Sequence, residues 1–382
     1  MSVNFSWTDY PEAYDDLSAL KNFSFDTCVD LSSSSSYLIK GDNYPVLKKL
    51  SQNFSSCVDL IYIDPPYNTG NDFVYNDDFH TSGDRHSRWL SFMYRRLKLA
   101  SELLKESACI FIAIDQSELY VLKLLCDQIF GEENFVNDFM WLHGKGKKDK
   151  WSRTLQQHTL CYAKNKSCLK EFSEIEYSSW ATKNPDNDPR GNWFSGSISF
   201  SESRSNPNHH NYYSITSPSG KVWTRQWQVS QEEMEKLISE NKIYWGQSPA
   251  YDGVPREKIF NDTETEVIPR NIIENVESTR SAQNYLDKLL GEKGLFDNPK
   301  PVDLIAHLIK ICQLPSDALV MDFFAGSGTT FESVCRLNQE DGGKRRCLLV
   351  QKDESGIAEI TRKRCEMVSA IYKSEITFVS AG

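Results

Sequence analysis

The chain has 382 residues, of which 39% are hydrophobic and 25% charged, with a formal net charge of −10. That is enough chain for one large domain or two ordinary ones with a sizeable core. No stretch approaches the roughly 20 apolar residues that span a bilayer, so no membrane association is expected, and the acidic balance argues against nonspecific coating of nucleic acid while leaving room for a local basic groove.

Residues 1–36 are polar and end in the serine run Ser32 to Ser36, which reads as a flexible lead-in. The opening MSVNFSWTDYPEAYDD lacks a basic start and an apolar block, so no signal peptide is expected. Ten cysteines, none in a C-x-x-C pair, read as reduced thiols of a cytoplasmic protein. The seven histidines show no familiar metal spacing, and His209 and His210 read as loop residues.

Tyr37 to Lys40 reads as a strand, 44–53 as a helix, and 58–63 as a buried strand ending at Asp64. RWLSFMYRRLKLASELLKE then places Trp89, Met93, Leu97 and Ala100 on one helical face. A buried strand over 108–114 leads to Asp115, expected to N-cap a helix over 116–130 with Glu118 completing a capping box. That helix should stop at Gly131. The alternation predicts a parallel α/β sheet.

The middle, 141–275, is loop-rich and holds seven of the nine tryptophans. Such a segment between regular halves reads as an insertion that recognises something, or as a small aromatic-cored subdomain. Regular pattern resumes with helices over 281–290 and 301–313, a strand over 318–322, a Gly-rich turn, a helix over 329–338 and a strand over 346–351.

Two motifs carry chemistry. ALVMDFFAGSGTTFESV (318–334) reads strand, Gly-rich turn, helix; Gly326 and Gly328 let the backbone approach a ligand beside free helix N–H groups. It has no P-loop lysine before Thr329 or Thr330, which excludes a phosphate-cradling NTPase. It also has Phe331 where a dinucleotide fingerprint has its third glycine. Phe323 and Phe324 offer apolar surface to a purine or a sulfonium methyl; taken alone, the turn fits a nucleotide-like cofactor or a tight structural turn.

Asp64-Pro65-Pro66-Tyr67 follows a buried strand, where open α/β sheets place their sites. The prolines fix φ and remove N–H donors, so the Asp64 side chain and the Pro65 carbonyl stand as rigid acceptors beside the Tyr67 ring. That set fits a planar ring with an exocyclic amine and would stabilise positive charge on the nitrogen as it attacks a methyl group. A mere proline turn with a capping Asp would be a poor use of Pro-Pro.

D-P-P-Y followed much later by F-x-G-x-G resembles the S-adenosylmethionine-dependent amino-methyltransferases of DNA, in the circularly permuted order of their β class. IYIDPPYNTGNDFVYNDDF, FDNPKPVDLI and LNQEDGGKRRCLLVQKDE are further similar to the Mod subunits of type III restriction–modification systems and their short relatives. The likeness covers most of 37–140 and 281–360. It implies a Rossmann-like methyltransferase sheet in two halves, 37–140 with the catalytic motif and 276–382 with the cofactor motif, and a target-recognition region over 141–275. It implies S-adenosyl-L-methionine as cofactor and the N6 amine of a flipped adenine in double-stranded DNA as acceptor.

By matched position, Asp64 and Tyr67 would be catalytic, Pro65 would lend a carbonyl and Pro66 would shape the turn. Asp322, Phe323, Phe324, Ala325, Gly326, Ser327, Gly328 and Thr329 would cradle the methionine part. Lys300 would take its carboxylate, Pro301 would shape that loop, and Asp42 would lie near the adenine. Where many β-class enzymes have an acid for the ribose, this chain has Gln351, with Glu354 as the alternative. Lys145, Lys147, Lys148 and Arg153 form a basic loop suited to phosphates, or a solvated surface loop. Arg204 and Arg225 are candidate DNA contacts near aromatic residues. The resemblance also implies a bacterial-type, nucleoid-associated enzyme that acts alone, as a homodimer, or with a restriction nuclease subunit. The rivals are an N4-cytosine methyltransferase and a noncatalytic nucleic-acid-binding module.

Overall fold

A computed structural model describes residues 5–8, 23–69, 85–143, 150–178, 181–247, 250–260 and 263–382. The chain forms two compact units, residues 1–172 with 269–382, and residues 173–268.

Unit 1 begins with β1 (Ser36–Lys40), α1 (Asn43–Asn53), β2 (Val58–Ile63), α2 (Arg85–Leu103), β3 (Leu104–Ile114), α3 (Leu119–Phe130), β4 (Phe135–Leu142) and β5 (Gln156–Ala163). Unit 2 contributes β6 (Glu174–Ser178), β7 (Trp193–Ser197), β8 (Tyr212–Thr216), β9 (Val222–Gln226), α4 (Gln231–Ser239), β10 (Ile243–Tyr244), β11 (Arg256–Phe260) and β12 (Thr263–Val267). Unit 1 resumes with β13 (Ile272–Ile273), α5 (Thr279–Leu290), α6 (Val302–Ile311), β14 (Leu319–Asp322), α7 (Thr329–Asp341), β15 (Arg346–Gln351), α8 (Ile357–Tyr372) and β16 (Ile376–Ser380).

Unit 1 is built on a nine-stranded sheet in the order β13-β4-β5-β3-β2-β14-β15-β1-β16. All its pairings are parallel except those of β5, which runs against β3 and β4. Strands buried on both faces read as near-continuous apolar runs, which is why VDLIYI, Asp59 apart, and the later half of β3 lack polar alternation. Ile61 and Ile63 pack with α1, α2 and α3 residues such as Val46, Trp89 and Leu122. Leu60 and Tyr62 face the other way, toward α6 and α7 residues such as Ile305 and Phe331.

β14 is followed by β15 on one side, and β2 by β3 on the other. The crevice at the carboxyl ends of β2 and β14 is therefore a topological switch point, where such sheets bind ligands. Asp59 ties the pair together: its carboxylate accepts from the Leu319 N–H at 2.9 Å and from Lys105 at 2.7 Å.

Three expectations need correction. Of the expected lead-in, residues 1–4 and 9–22 lie outside the described residues, whereas 23–36 are tied to the main unit: Ser24 N–H donates to the Gly382 carbonyl, Leu31 is buried, and the Arg346 guanidinium donates to the Leu31 and Ser33 carbonyls. The helix expected from 116 begins at Leu119, because Asp115 closes a turn onto Ser117 and Glu118 makes no cap. Residues 141–172, assigned by composition to the recognition region, complete the main sheet through β5, and the compact second unit is confined to 173–268.

Unit 2 has its own core, with Ile198, Trp227, Met234, Ile243 and Trp245 buried together. Its polar centre is Asp188, which accepts from Arg190 and from the buried Lys258 ammonium at 2.9 Å. Trp193, Trp227 and Trp245 are thus core residues here, and Trp141 is core in unit 1, whereas Trp151 is 85% exposed.

Asp59→Ala strands the Leu319 N–H between two buried strands and should destabilise the protein by about 1–3 kcal/mol in urea unfolding. Asp59→Asn, which keeps an acceptor, should cost less; equal costs would show that the Leu319 bond contributes nothing.

Candidate active site

A cavity of about 300 Å³ opens across the carboxyl ends of β2, β14, β15 and β1. Its wall includes Asp64 and Pro66 after β2, Asp322 to Ser327 and Thr329 after β14, Gln351 and Glu354 after β15, and Asp42 after β1. Of the residues expected to form the site, Pro65, Tyr67, Pro301 and Gly328 are not part of that wall.

The Asp64 corner is held by its own polar contacts. Tyr67 donates its hydroxyl to Asp64 Oδ1 at 2.6 Å, and the Lys300 ammonium donates to Asp64 Oδ2 at 2.7 Å and to the Tyr67 hydroxyl at 2.8 Å. Lys300, expected at a cofactor carboxylate, thus sits on the catalytic candidate while also lining the cavity. Gln283 steadies its loop, donating to the Phe296 carbonyl and accepting from the Asn298 N–H.

Behind the corner, Trp89 Nε1 donates to the Pro66 carbonyl at 2.7 Å. Asn68 sits at φ 55°, a left-handed conformation that asparagine tolerates better than most residues. Its amide donates to buried Glu118 at 2.5 Å, and His86 at the start of α2 pairs with the same carboxylate at 2.8 Å. Glu118, expected as a capping-box residue, instead anchors both ends of the segment between Tyr67 and α2. Burial raises its carboxyl above the usual range.

The glycine turn is wired through its side chains. Asp322 accepts from the Phe324 N–H at 3.0 Å and from the Thr330 hydroxyl at 2.5 Å. Gly326 and Gly328 adopt φ 53° and 82°, and a Cβ at Gly326 would lie 3.2 Å from the Phe296 ring. Gly326 N–H donates to Gln351 Oε1 at 2.7 Å, and Gln351 Nε2 donates to the Lys352 carbonyl, so this glutamine braces the turn. Buried Arg364 of α8 donates to Ser327 at 2.9 Å and Thr329 at 2.8 Å and pairs with buried Glu332. Tyr285 donates to the other Glu332 oxygen.

At the far end, Asp42 caps α1 by accepting from the Tyr44 N–H at 2.9 Å. Arg96, buried on α2, reaches Asp42 at 3.3 Å and Asn43 at 2.5 Å, and burial lowers its guanidinium to about 10. Asn43 donates in turn to the Phe323 carbonyl at 2.7 Å.

Sequence reasoning did not single out Arg96, Glu332 or Arg364, although each is a charge among the buried residues of its helix. Arg96 falls in register with Trp89, Met93 and Ala100, and Arg364 with Thr361, Cys365 and Val368. A charge in such a stripe signals a buried partner.

Of the basic residues assigned to DNA, Lys145, Lys147 and Lys148 lie outside the described residues. Arg153 is exposed in unit 1, and Arg204 is exposed in unit 2. Arg225 is mostly covered, pairing with Glu202 at 3.3 Å and lying 5.1 Å from the Trp223 ring.

Burial lifts the Asp322 carboxyl from 3.8 to about 7, against the bonds from Thr330 and Phe324. The folded protein therefore holds this proton more tightly than the unfolded chain. The stabilisation is complete below about 4 and is lost as pH rises to about 7. Asp322→Asn removes the titration, so the variant should gain stability relative to wild type across that window and hold a constant difference above it. Parallel pH profiles in urea unfolding would contradict this.

Residues 58–367 match the family model of N6/N4 methylases, described as DNA methylase. The chain is 35% identical to the type III restriction–modification enzyme StyLTI Mod subunit of Salmonella typhimurium LT2, over 93% of this chain and 58% of that one. It is 36% identical to the EcoPI Mod subunit of Escherichia phage P1, over 90% and 63%. It is 31% identical to the type II methyltransferase M.KpnI of Klebsiella pneumoniae, over 87% and 83%. It thus spans about three fifths of the two Mod subunits and most of M.KpnI. With the D-P-P-Y corner and the glycine turn opening on one cavity inside the matched region, the chain belongs to the N6/N4 DNA methylase family.

Proposed function

We propose that this chain is a site-specific DNA methyltransferase that moves a methyl group from S-adenosyl-L-methionine to the N6 amine of an adenine flipped out of the duplex. The observation that carries the reading is one continuous cavity running from Asp42 and Gln351 to Asp64, so that a nucleoside-sized cofactor laid along it ends at a fixed carboxylate.

The residues present fit that cofactor. Phe296, Phe323, Phe324 and Ile357 give apolar wall, and the left-handed Gly326 brings main chain to the surface. The Gln351 side-chain amide is committed to Gly326 and Lys352, which leaves Glu354 as the better partner for a ribose diol. Lys300 is the candidate for the cofactor's carboxylate. When bound, the cofactor supplies a methyl group activated on a sulfonium.

The corner does the rest. Asp64 is placed to accept one N–H of the target amine. The Pro65 carbonyl, to which no described residue donates, is the acceptor for the other. These fixed acceptors stabilise the positive charge that grows on nitrogen as its lone pair forms the N–C bond, and Asp64 can receive the released proton. The Tyr67 ring offers a stacking face while its hydroxyl holds Asp64. A base still paired in the helix could not reach this pocket, which is why flipping is required. Unit 2 is the candidate recognition unit, and Arg153 and Arg204 are candidate phosphate contacts, with Lys145, Lys147 and Lys148. Arg225 would have to leave Glu202 to join them. The relatives are named as Mod subunits of restriction–modification enzymes, which supports a restriction subunit as partner; a cytoplasmic, DNA-associated place and a second copy of the chain are further parts of the proposal.

Asp64→Ala should cut methyl transfer at least about 100-fold while leaving cofactor affinity within a few fold in titration calorimetry. Near-normal transfer would contradict the acceptor role. Tyr67→Phe, which loses the grip on Asp64 but keeps the ring, should cost about tenfold. Tyr67→Ala should cost at least another tenfold through lost stacking. Equal losses would remove stacking from the account.

A further inference from the structure

Tyr62 lies on β2, two positions before Asp64, and both side chains border one cavity. Tyr62 lines the same cavity, yet it is only 1% exposed. Its hydroxyl is buried and has no hydrogen-bond partner among the described residues. Buried polar groups are almost always satisfied, and an exception at a cavity wall marks a place where a ligand completes the bond. Burial and the neighbouring Asp64 and Asp322 carboxylates push its ionisation well above the ordinary phenol range, so it remains a neutral hydroxyl able to donate and accept.

The strand order supplies a direction. The cavity runs from β2 through β14 and β15 to β1, with the Asp64 corner at one end and Gln351, Glu354 and Asp42 at the other. A methyl group delivered at Asp64 requires the sulfonium there. The nucleoside half then extends toward β15 and β1, and the amino-acid half is left at the β2–β14 end, among Tyr62, Ile305 and Thr330. Asp64 lies at that end, and a cation there would also favour the ionised form of Asp322, whose carboxyl burial otherwise raises.

Resting on the methyl-transfer reading above, we infer that Tyr62 is a cofactor-contact residue whose hydroxyl accepts an N–H from the α-ammonium of the methionine half of S-adenosyl-L-methionine. The hydroxyl hydrogen remains available for the adjoining carboxylate.

Tyr62→Phe removes this one oxygen and keeps the ring that packs against α6 and α7. Because the hydroxyl makes no bond to any described residue, the ligand-free variant should melt at the wild-type temperature or slightly above it. Its affinity for S-adenosyl-L-methionine, measured by titration calorimetry, should be about tenfold weaker. Its affinity for 5′-methylthioadenosine, which lacks the amino-acid half, should equal that of wild type. Unchanged affinity for both ligands would overturn the contact. Equal weakening of both, or a lower melting temperature without ligand, would show a structural role instead. A wild-type chain that bound neither ligand would defeat the methyl-transfer reading itself, a result distinguishable from wild-type binding with no effect of the substitution.

Discussion

The parallel pairing of β2 with β14, through Val320 beside Leu60 and Met321 beside Ile61, is the constraint on which the site depends. The chain leaves β2 toward β3 on one side and leaves β14 toward β15 on the other, so no connecting helix covers the shared crevice. More than 250 residues separate Asp64 from Asp322 in sequence, and this one pairing sets them at neighbouring strand ends. The Asp59 bond to the Leu319 N–H fastens the other end of the same pair. In the proposed reaction, that register aligns a methyl donor held by one turn with an amine held by the other.

Charge is distributed around the cavity in matched pairs that do not all have the same purpose. Arg364 with Glu332 is buried on both sides and stiffens the glycine turn through Ser327 and Thr329. Removing one partner of such a pair strands the other charge, so the pair specifies a shape more than it adds stability. Arg96 does the same for Asp42 and Asn43. Lys300 with Asp64 differs, because both groups face the cavity and both have a proposed ligand partner. An ammonium beside Asp64 opposes positive charge growing on a target amine, so in the proposed reaction the loaded site would work best with Lys300 turned to the cofactor's carboxylate. Tyr62 belongs to neither kind: its hydroxyl is buried against the cavity without a hydrogen bond to any described residue.

Much of the main sheet was legible because its strands are continuous apolar runs and its helices carry one apolar stripe. The runs ending at Asp64 and Asp322 form β2 and β14, and Gly131 ends α3 at φ 91°. Less legible were β5 and α8. β5 runs antiparallel, follows a polar segment and interrupts a parallel sheet, so neither composition nor alternation marked it. α8 has Arg364 in its buried stripe, which blurs the amphipathic signal. The motifs named Asp64 and the glycine turn, but not what braces them. Glu118 looked like a cap because capping boxes and buried clasps share the same local spacing. Its true partners, Asn68 and His86, are 50 and 32 residues away in sequence. Composition made 141–275 one region, whereas strand pairing assigns its first part to the main sheet, and burial makes Trp141, Trp193, Trp227 and Trp245 core.

The central claim, that one cavity joins a sulfonium donor to an unstacked adenine, is tested most directly by incubating the purified chain with methyl-labelled S-adenosyl-L-methionine and duplex DNA, then digesting the DNA to nucleosides and separating them. The account predicts that the label is recovered as N6-methyldeoxyadenosine. Label in N4-methyldeoxycytidine, or none in DNA although the chain binds both the cofactor and the duplex, would contradict it.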